Sequence, residues 1–281
     1  MQNNNILEKH FYSSPLYSMK WKQYFEIYLK VFRKFRKKKI TFVEIGTAMG
    51  GSLFMWRKFF GYKARIIGID LNPEAKKLEK FGFEIYIGDQ AEDNFWKNFY
   101  KKIGKIDILV DDGGHTNIQQ ISTLYNSINH IRDEGLIVIE DTHASYISKG
   151  FNNPSKFSFI NYSKQIIDSI HKRCPTINRP QDLFSKKIYS ITYYESIAIF
   201  EINKSKCNLN YIVHNKNKKI NFVDYRHKSN FIKFNKYFYK YFNSFTKFKL
   251  YNYFVKKISG RNIFYKIINR IKTERYFKIF K

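Results

Sequence analysis

Short apolar runs, each closed by an acid or a glycine, dominate the first two thirds of the chain. They are ITFVEIG (40–46), RIIGID (65–70), FEIYIGD (83–89), IDILV (106–110) and LIVIE (136–140). Runs of this length bounded by charge and turn residues predict buried parallel strands. LFMWRKFFG (53–61) follows the first run with helical spacing, as do Trp21, Tyr24, Tyr28, Val31 and Phe32 within 19–37. The Asn-rich residues 1–16, ending in Ser13-Ser14-Pro15, predict poor order. Thr142 to Lys187 holds three prolines and leaves the fifth run directly, so it is expected to be a long loop and a candidate acceptor lid. KIYSITYY (187–194) and SIAIFEI (196–202), parted at Glu195, predict a hairpin.

Strand, glycine turn and helix is the opening of a Rossmann-like unit. In ITFVEIGTAMGGS, Gly46 permits the sharp turn, while Gly50 and Gly51 let the backbone approach a ligand. The spacing is G-x-x-x-G-G, neither the dinucleotide nor the P-loop pattern. Glu44 just before it suits a neutral or cationic ligand better than a pyrophosphate. Asp70 falls where such folds place an acid on ribose hydroxyls, and Asp89 closes the next run. Open α/β sheets bind ligands at the carboxyl ends of their strands. Two further runs deliver Asp111-Asp112-Gly113-Gly114-His115 and Glu140-Asp141-Thr142-His143 to that rim. Carboxylates gathered so closely need a proton or a cation between them, and a hard oxygen-seeking ion such as Mg²⁺ fits. The plainer alternative is that Asp112, Glu140 and Asp141 cap strands or pair with the many basic residues, and that His115 has no catalytic duty.

Composition adds one surprise. Against 51 Lys and Arg stand 23 Asp and Glu, a net charge of +28. The excess is concentrated late, since beyond Cys207 the acids are Asp224 and Glu274 alone, among interleaved Lys and aromatic residues. A basic helical extension over 204–281 is expected. Three readings of it stay open: a packing extension or lid, a contact with an anionic membrane, or a nucleic-acid surface that no recognised motif supports. Two cysteines make no disulfide framework, and nothing reads as a secretory signal or a bilayer-spanning run. The expected setting is cytoplasmic, with a peripheral position at the inner membrane surface as the variant. The boundaries read as 1–39 for an N-terminal segment and helix, 40–203 for the α/β domain and 204–281 for the extension.

VEIGTAMGGS, IIGIDLNP, IYIGDQ, IDILVDDGGH and GLIVIEDTHASY resemble the class I S-adenosylmethionine-dependent methyltransferases. Within that class the likeness is to the metal-dependent macrolide sugar O-methyltransferases and the related cephalosporin-hydroxylase-like and rhamnosyl O-methyltransferase sequences, over about residues 18–203. The resemblance implies a mostly parallel methyltransferase sheet with a C-terminal antiparallel hairpin. It implies a cofactor cradle at Glu44, Gly46, Asp70 and Asp89, with Thr47, Gly50, Ser52 and Asp111 beside them. It implies Mg²⁺ ligands at Asp112, Glu140 and Asp141, and a base at His115. Gly114 stands where that group usually has Ser, a change expected to matter little.

The activity so implied is methyl transfer from S-adenosylmethionine to a hydroxyl of a sugar or polyhydroxylated acceptor, in an enzyme that forms homo-oligomers. A phosphate-like or phosphoramidate acceptor on a surface saccharide is the second reading, and a non-catalytic membrane- or nucleic-acid-binding module the third.

Overall fold

The computed structural model describes residues 5–148 and 154–218. The chain divides into two compact units, Met1–Val213 and His214–Lys281. Nearly all of the second unit, and with it the expected basic helices and their membrane or nucleic-acid contact, lies outside the described residues. No helix among the described residues is long and apolar enough to cross a membrane.

The first unit is built on a seven-stranded sheet. Strands β1 (Thr41–Ile45), β2 (Arg65–Asp70), β3 (Glu84–Ile87), β4 (Ile106–Asp111) and β5 (Ile131–Ile139) are mutually parallel. The hairpin of β6 (Ile188–Tyr194) and β7 (Ile197–Ile202) adds to β5 antiparallel, giving the order β3-β2-β1-β4-β5-β7-β6. The order reverses at β1 and β4, and a crevice opens at the carboxyl ends of neighbours that diverge in this way.

Period-two alternation sorts the strands into two cores. Phe42, Ile108, Val110, Leu136 and Val138 face helices α1 (Ile6–Tyr12), α2 (Tyr24–Phe32) and α3 (Gly51–Phe60). Their cluster is largely aromatic, with Trp56 packed on Tyr28, Phe32, Phe42 and Phe60. Val43, Ile45, Leu109, Ile137 and Ile139 face α4 (Asp93–Ile103), α5 (Asn117–Ser127) and α6 (Phe159–His171).

Three expectations need correction. Residues 1–16 are not uniformly unstructured: Asn5 caps α1 by accepting from the Leu7 amide, Leu7 is fully buried, and Phe11 packs edge-on against Phe25. The helix expected over 19–37 starts only at Tyr24. Residues 13–23 instead cross the start of α3 as a strap, where the Ser14 hydroxyl donates to the Gly51 carbonyl and the Gly51 amide donates to the Tyr17 carbonyl. The connection after β5 is not a bare loop, because it holds a 3₁₀ turn at Thr142–Tyr146 and the 13-residue α6, capped by Ser158.

Candidate active site

The carboxyl ends of β1 to β5 and the strap line a cavity of about 800 Å³. Its walls carry Gly46, Thr47, Ser52, Asp70, Asp89, Asp112, His115, Glu140 and Asp141 of the expected residues. Tyr17, Met19, Lys20, Trp21 and Tyr24 of the strap and α2, and Gln90, complete them.

At one end Asp70 is held by the turn after β1. Its Oδ2 accepts from the Thr47 hydroxyl (3.0 Å) and the Ala48 amide (2.9 Å), and its Oδ1 from the Asn72 amide (2.9 Å). Asn72, not Asp70, caps the 3₁₀ segment Pro73–Phe81. Asp89 closes the turn after β3 by accepting from the Ala91 amide. Ser52 reaches the wall but spends its hydroxyl on Glu44.

Glu44, Gly50 and Asp111 are corrections, for none of them lines the cavity. Alternation places Glu44 on the same face of β1 as Phe42, beneath α3, where Ser52 (2.6 Å) and Trp56 (2.9 Å) donate to it. Asp111 points to the opposite face. There it accepts Gln90 Nε2 at 2.9 Å on each oxygen and the Gly113 amide at 3.1 Å. Gly50 is the left-handed cap of α3 (φ 87°), and a Cβ on it would run into the Leu78 side chain.

The other end is built by the same alternation. Glu44, Asp112 and Glu140 share the α2 side of three adjacent strands, and Lys20 of the strap enters among them. Its buried Nζ lies 2.6 Å from Asp112 Oδ2, 3.0 Å from Glu140 Oε2 and 3.5 Å from Glu44 Oε1. Glu140 Oε1 accepts from the Tyr28 hydroxyl. Burial favours the neutral lysine, yet the surrounding carboxylates outweigh it and hold the Lys20 ammonium well above its ordinary range. Burial in turn pushes Glu44 and Glu140 upward, against the pull of Lys20. Asp141, in a left-handed conformation (φ 50°), leaves this ladder. Its Oδ1 accepts from Tyr24 Oη (2.6 Å) and Trp21 Nε1 (3.1 Å), and its Oδ2 lies 3.5 Å from His115 Nε2. His115 Nε2 is also 3.9 Å from Asp112 Oδ1, and His115 too is left-handed (φ 57°). Left-handed non-glycine residues cost energy and cluster at functional sites.

A donor atom from each of Asp112, His115 and Asp141 lies within 4.8 Å of the others. The two carboxylates offer the oxygen ligands a hard divalent cation such as Mg²⁺ or Mn²⁺ prefers, with the His115 imidazole beside them. Glu140, expected as a third ligand, instead has its oxygens on Tyr28 and Lys20, one step behind this point. His143 does not line the cavity; its ring meets the Trp21 indole edge-on. A Cβ on Gly114 would meet only the end of the Gln119 side chain, whose Oε1 accepts the Thr116 hydroxyl in the capping box of α5.

Lys20 and Gln90, and the roles of Trp21, Tyr24 and Tyr28 as partners of the carboxylates, are what the sequence reading missed. Gln90 is buried, and besides serving Asp111 it accepts the Gly114 amide on Oε1 (3.2 Å), so it ties the Asp111–His115 loop to β3. Gln90→Leu leaves the buried Asp111 carboxylate short of its donor. It is expected to cost about 1–3 kcal/mol of stability, read as a lower urea midpoint at constant slope.

Together these features define a Rossmann-like methyltransferase fold with an acid-lined crevice at its switch point. Residues 43–142 match the family described as a methyltransferase domain. The chain is 29% identical over 188 residues to the mycinamicin VI 2''-O-methyltransferase of Micromonospora griseorubida, covering 62% of this chain and 46% of that protein. It is 26% identical to the 8-demethyl-8-alpha-L-rhamnosyl tetracenomycin-C 2'-O-methyltransferase of Streptomyces olivaceus, covering 63% and 50%. Among solved structures it is similar to the MycE methyltransferase of the mycinamycin biosynthetic pathway in complex with Mg and S-adenosylhomocysteine. That match has a TM-score of 0.61 and 25% identity, over 71% of this chain and 53% of that one. The chain thus spans about half the length of the curated relatives it matches.

Proposed function

We propose that the chain is a Mg²⁺-dependent, S-adenosylmethionine-dependent O-methyltransferase acting on a hydroxyl of a sugar or polyhydroxylated acceptor. The observation that carries this reading is a single cavity with a backbone-anchored acid, Asp70, at one end and Asp112, His115 and Asp141 at the other. The acceptor class comes from the relatives, which are named for sugar O-methylation. They lend nothing to a phosphate-like acceptor or to a non-catalytic module. Contact of residues 204–281 with an anionic membrane is a secondary part of the proposal and is supported by charge alone.

In this reading Asp70 takes the ribose hydroxyls, its two oxygens already oriented by Thr47, Ala48 and Asn72. Bound there, S-adenosylmethionine would supply the electrophilic methyl, and Mg²⁺ on Asp112 and Asp141 would orient an acceptor hydroxyl and lower its pKa. His115 Nε2, next to both carboxylates, is placed to receive the hydroxyl proton as the new O–C bond forms and the methyl–sulfur bond breaks. Tyr24 and Tyr28 stay protonated donors, since burial raises both phenols above their usual range. The walls hold donor and acceptor in line, which is most of what a displacement at a methyl carbon asks of an enzyme.

The test is calorimetric titration of the full chain with S-adenosylhomocysteine in the presence of Mg²⁺. One site per chain with micromolar affinity is expected. A folded sample that binds none would remove the enzyme reading.

A further inference from the structure

The strap does more at the acid cluster than cover it. Each carboxylate facing His115 has one oxygen occupied by a strap or α2 side chain and the other turned inward. Lys20 Nζ takes Asp112 Oδ2, which leaves Oδ1 toward His115. Trp21 Nε1 and Tyr24 Oη both take Asp141 Oδ1, which leaves Oδ2 toward His115. Tyr24 also accepts from the Asp141 amide (3.3 Å), so it holds backbone and carboxylate of one residue whose left-handed conformation needs support. Three donors separated in sequence from their acceptors by about a hundred residues thus select which oxygens converge. The same short segment also walls the cofactor cavity through Tyr17 and Met19.

We propose that Trp21 and Tyr24 are positioning residues of the cation site, and that the strap carrying Trp21 couples cation binding to cofactor binding. The proposal rests on the function proposed above. Partners that orient metal ligands are worth about 10–100-fold in metal affinity. Two sites that both need one docked element are linked, and the linkage is reciprocal: whatever factor the cation adds to cofactor affinity, the cofactor adds to cation affinity. Trp21 and Tyr24 give the cleaner test than Lys20. They are neutral donors, so removing them changes geometry without removing a positive charge that itself repels a cation.

The experiment uses the full chain with Trp21→Phe, Tyr24→Phe and the double substitution. Mn²⁺ affinity is read by electron paramagnetic resonance, and S-adenosylhomocysteine affinity by calorimetry with and without Mg²⁺. In the unaltered chain Mg²⁺ is expected to tighten S-adenosylhomocysteine at least about fivefold. The double variant is expected to weaken Mn²⁺ about tenfold or more, to keep its metal-free S-adenosylhomocysteine affinity within about twofold, and to lose the coupling. Tyr24→Phe keeps the ring, Trp21→Phe keeps an aromatic side chain at an exposed position, and the loss of one hydrogen-bond donor in each costs only about 1 kcal/mol, so the variants fold. Unchanged Mn²⁺ affinity, or equal losses of cation and metal-free cofactor affinity, overturns the proposal; the second result would make the strap a structural cover. If the unaltered chain binds neither ligand, the proposed function itself fails, a result distinct from either.

Discussion

Asp112→Ala is expected to reduce methyl transfer by about three powers of ten while S-adenosylhomocysteine affinity stays within about threefold. Asp112 sits where two systems meet. Its Oδ2 is the nearest partner of Lys20, and its Oδ1 is one of the inward oxygens beside His115. Losing it removes a cation ligand and frees the buried Lys20 to shift toward Glu140 and Glu44. Cation-supplied charge stabilisation amounts to several kcal/mol, and about 4 kcal/mol is about a thousandfold in rate. The cofactor end should be spared. Asp70 ends β2 while Asp112 follows β4, with β1 between them, a separation of about 10 Å at ordinary strand spacing. Single-turnover methyl transfer to a sugar acceptor, together with S-adenosylhomocysteine calorimetry, separates the two effects. A variant that turns over normally would take Asp112 out of the chemistry, and one that no longer binds S-adenosylhomocysteine would mean the cavity had collapsed.

Most of the sheet was legible because its strands are short apolar runs closed by acids and glycines. The five parallel strands and the hairpin fall where the runs predict them, and β5 begins five residues earlier than its apolar stretch because Ile131 already pairs with Ile106. Asp70, Asp89, Asp112 and Asp141 reach the cavity because each stands at or just past a strand's carboxyl end. Glu44 and Asp111 do not, and the same period-two rule that identified the strands explains why. Glu44, one residue inside β1, faces α3, and Asp111, the last residue of β4 as Asp70 is of β2, turns instead into the opposite core toward Gln90. The parity of Glu140 puts it beside Glu44 and Asp112 on Tyr28 and Lys20, a grouping that no local pattern announces. Lys20 is 92 residues from Asp112 and 120 from Glu140, and among 51 basic residues nothing local marks it as the one drawn inward. Helix α1 was hidden by its Asn-rich flank, although Asn5 is an ordinary N-cap.

Gly46→Ala is expected to destabilise the domain by about 3 kcal/mol or more and to weaken both cofactor and cation binding. Two costs add. Gly46 has φ 82°, and a side chain in the left-handed region costs about 1–2 kcal/mol. A Cβ there would also lie 2.0 Å from the Asp112 carbonyl oxygen and 2.9 Å from Gly113 Cα. Those are backbone atoms, so relief requires moving the main chain, at about 1–3 kcal/mol. The loop that would move is the one that carries Asp112 and His115, and the Asp112 amide that anchors it donates to the Ile45 carbonyl (3.0 Å) beside Gly46. Gly50→Ala is the control. Its φ of 87° carries a similar penalty, but its Cβ would meet only the end of the Leu78 side chain, which can rotate away. Urea unfolding should therefore rank Gly46→Ala below Gly50→Ala, with Mn²⁺ affinity lost in the first and kept in the second. Equal stability of the two would mean that β1 and the Asp112 loop do not meet as closely as this, and the shared backbone support of the cofactor and cation ends would fall with it.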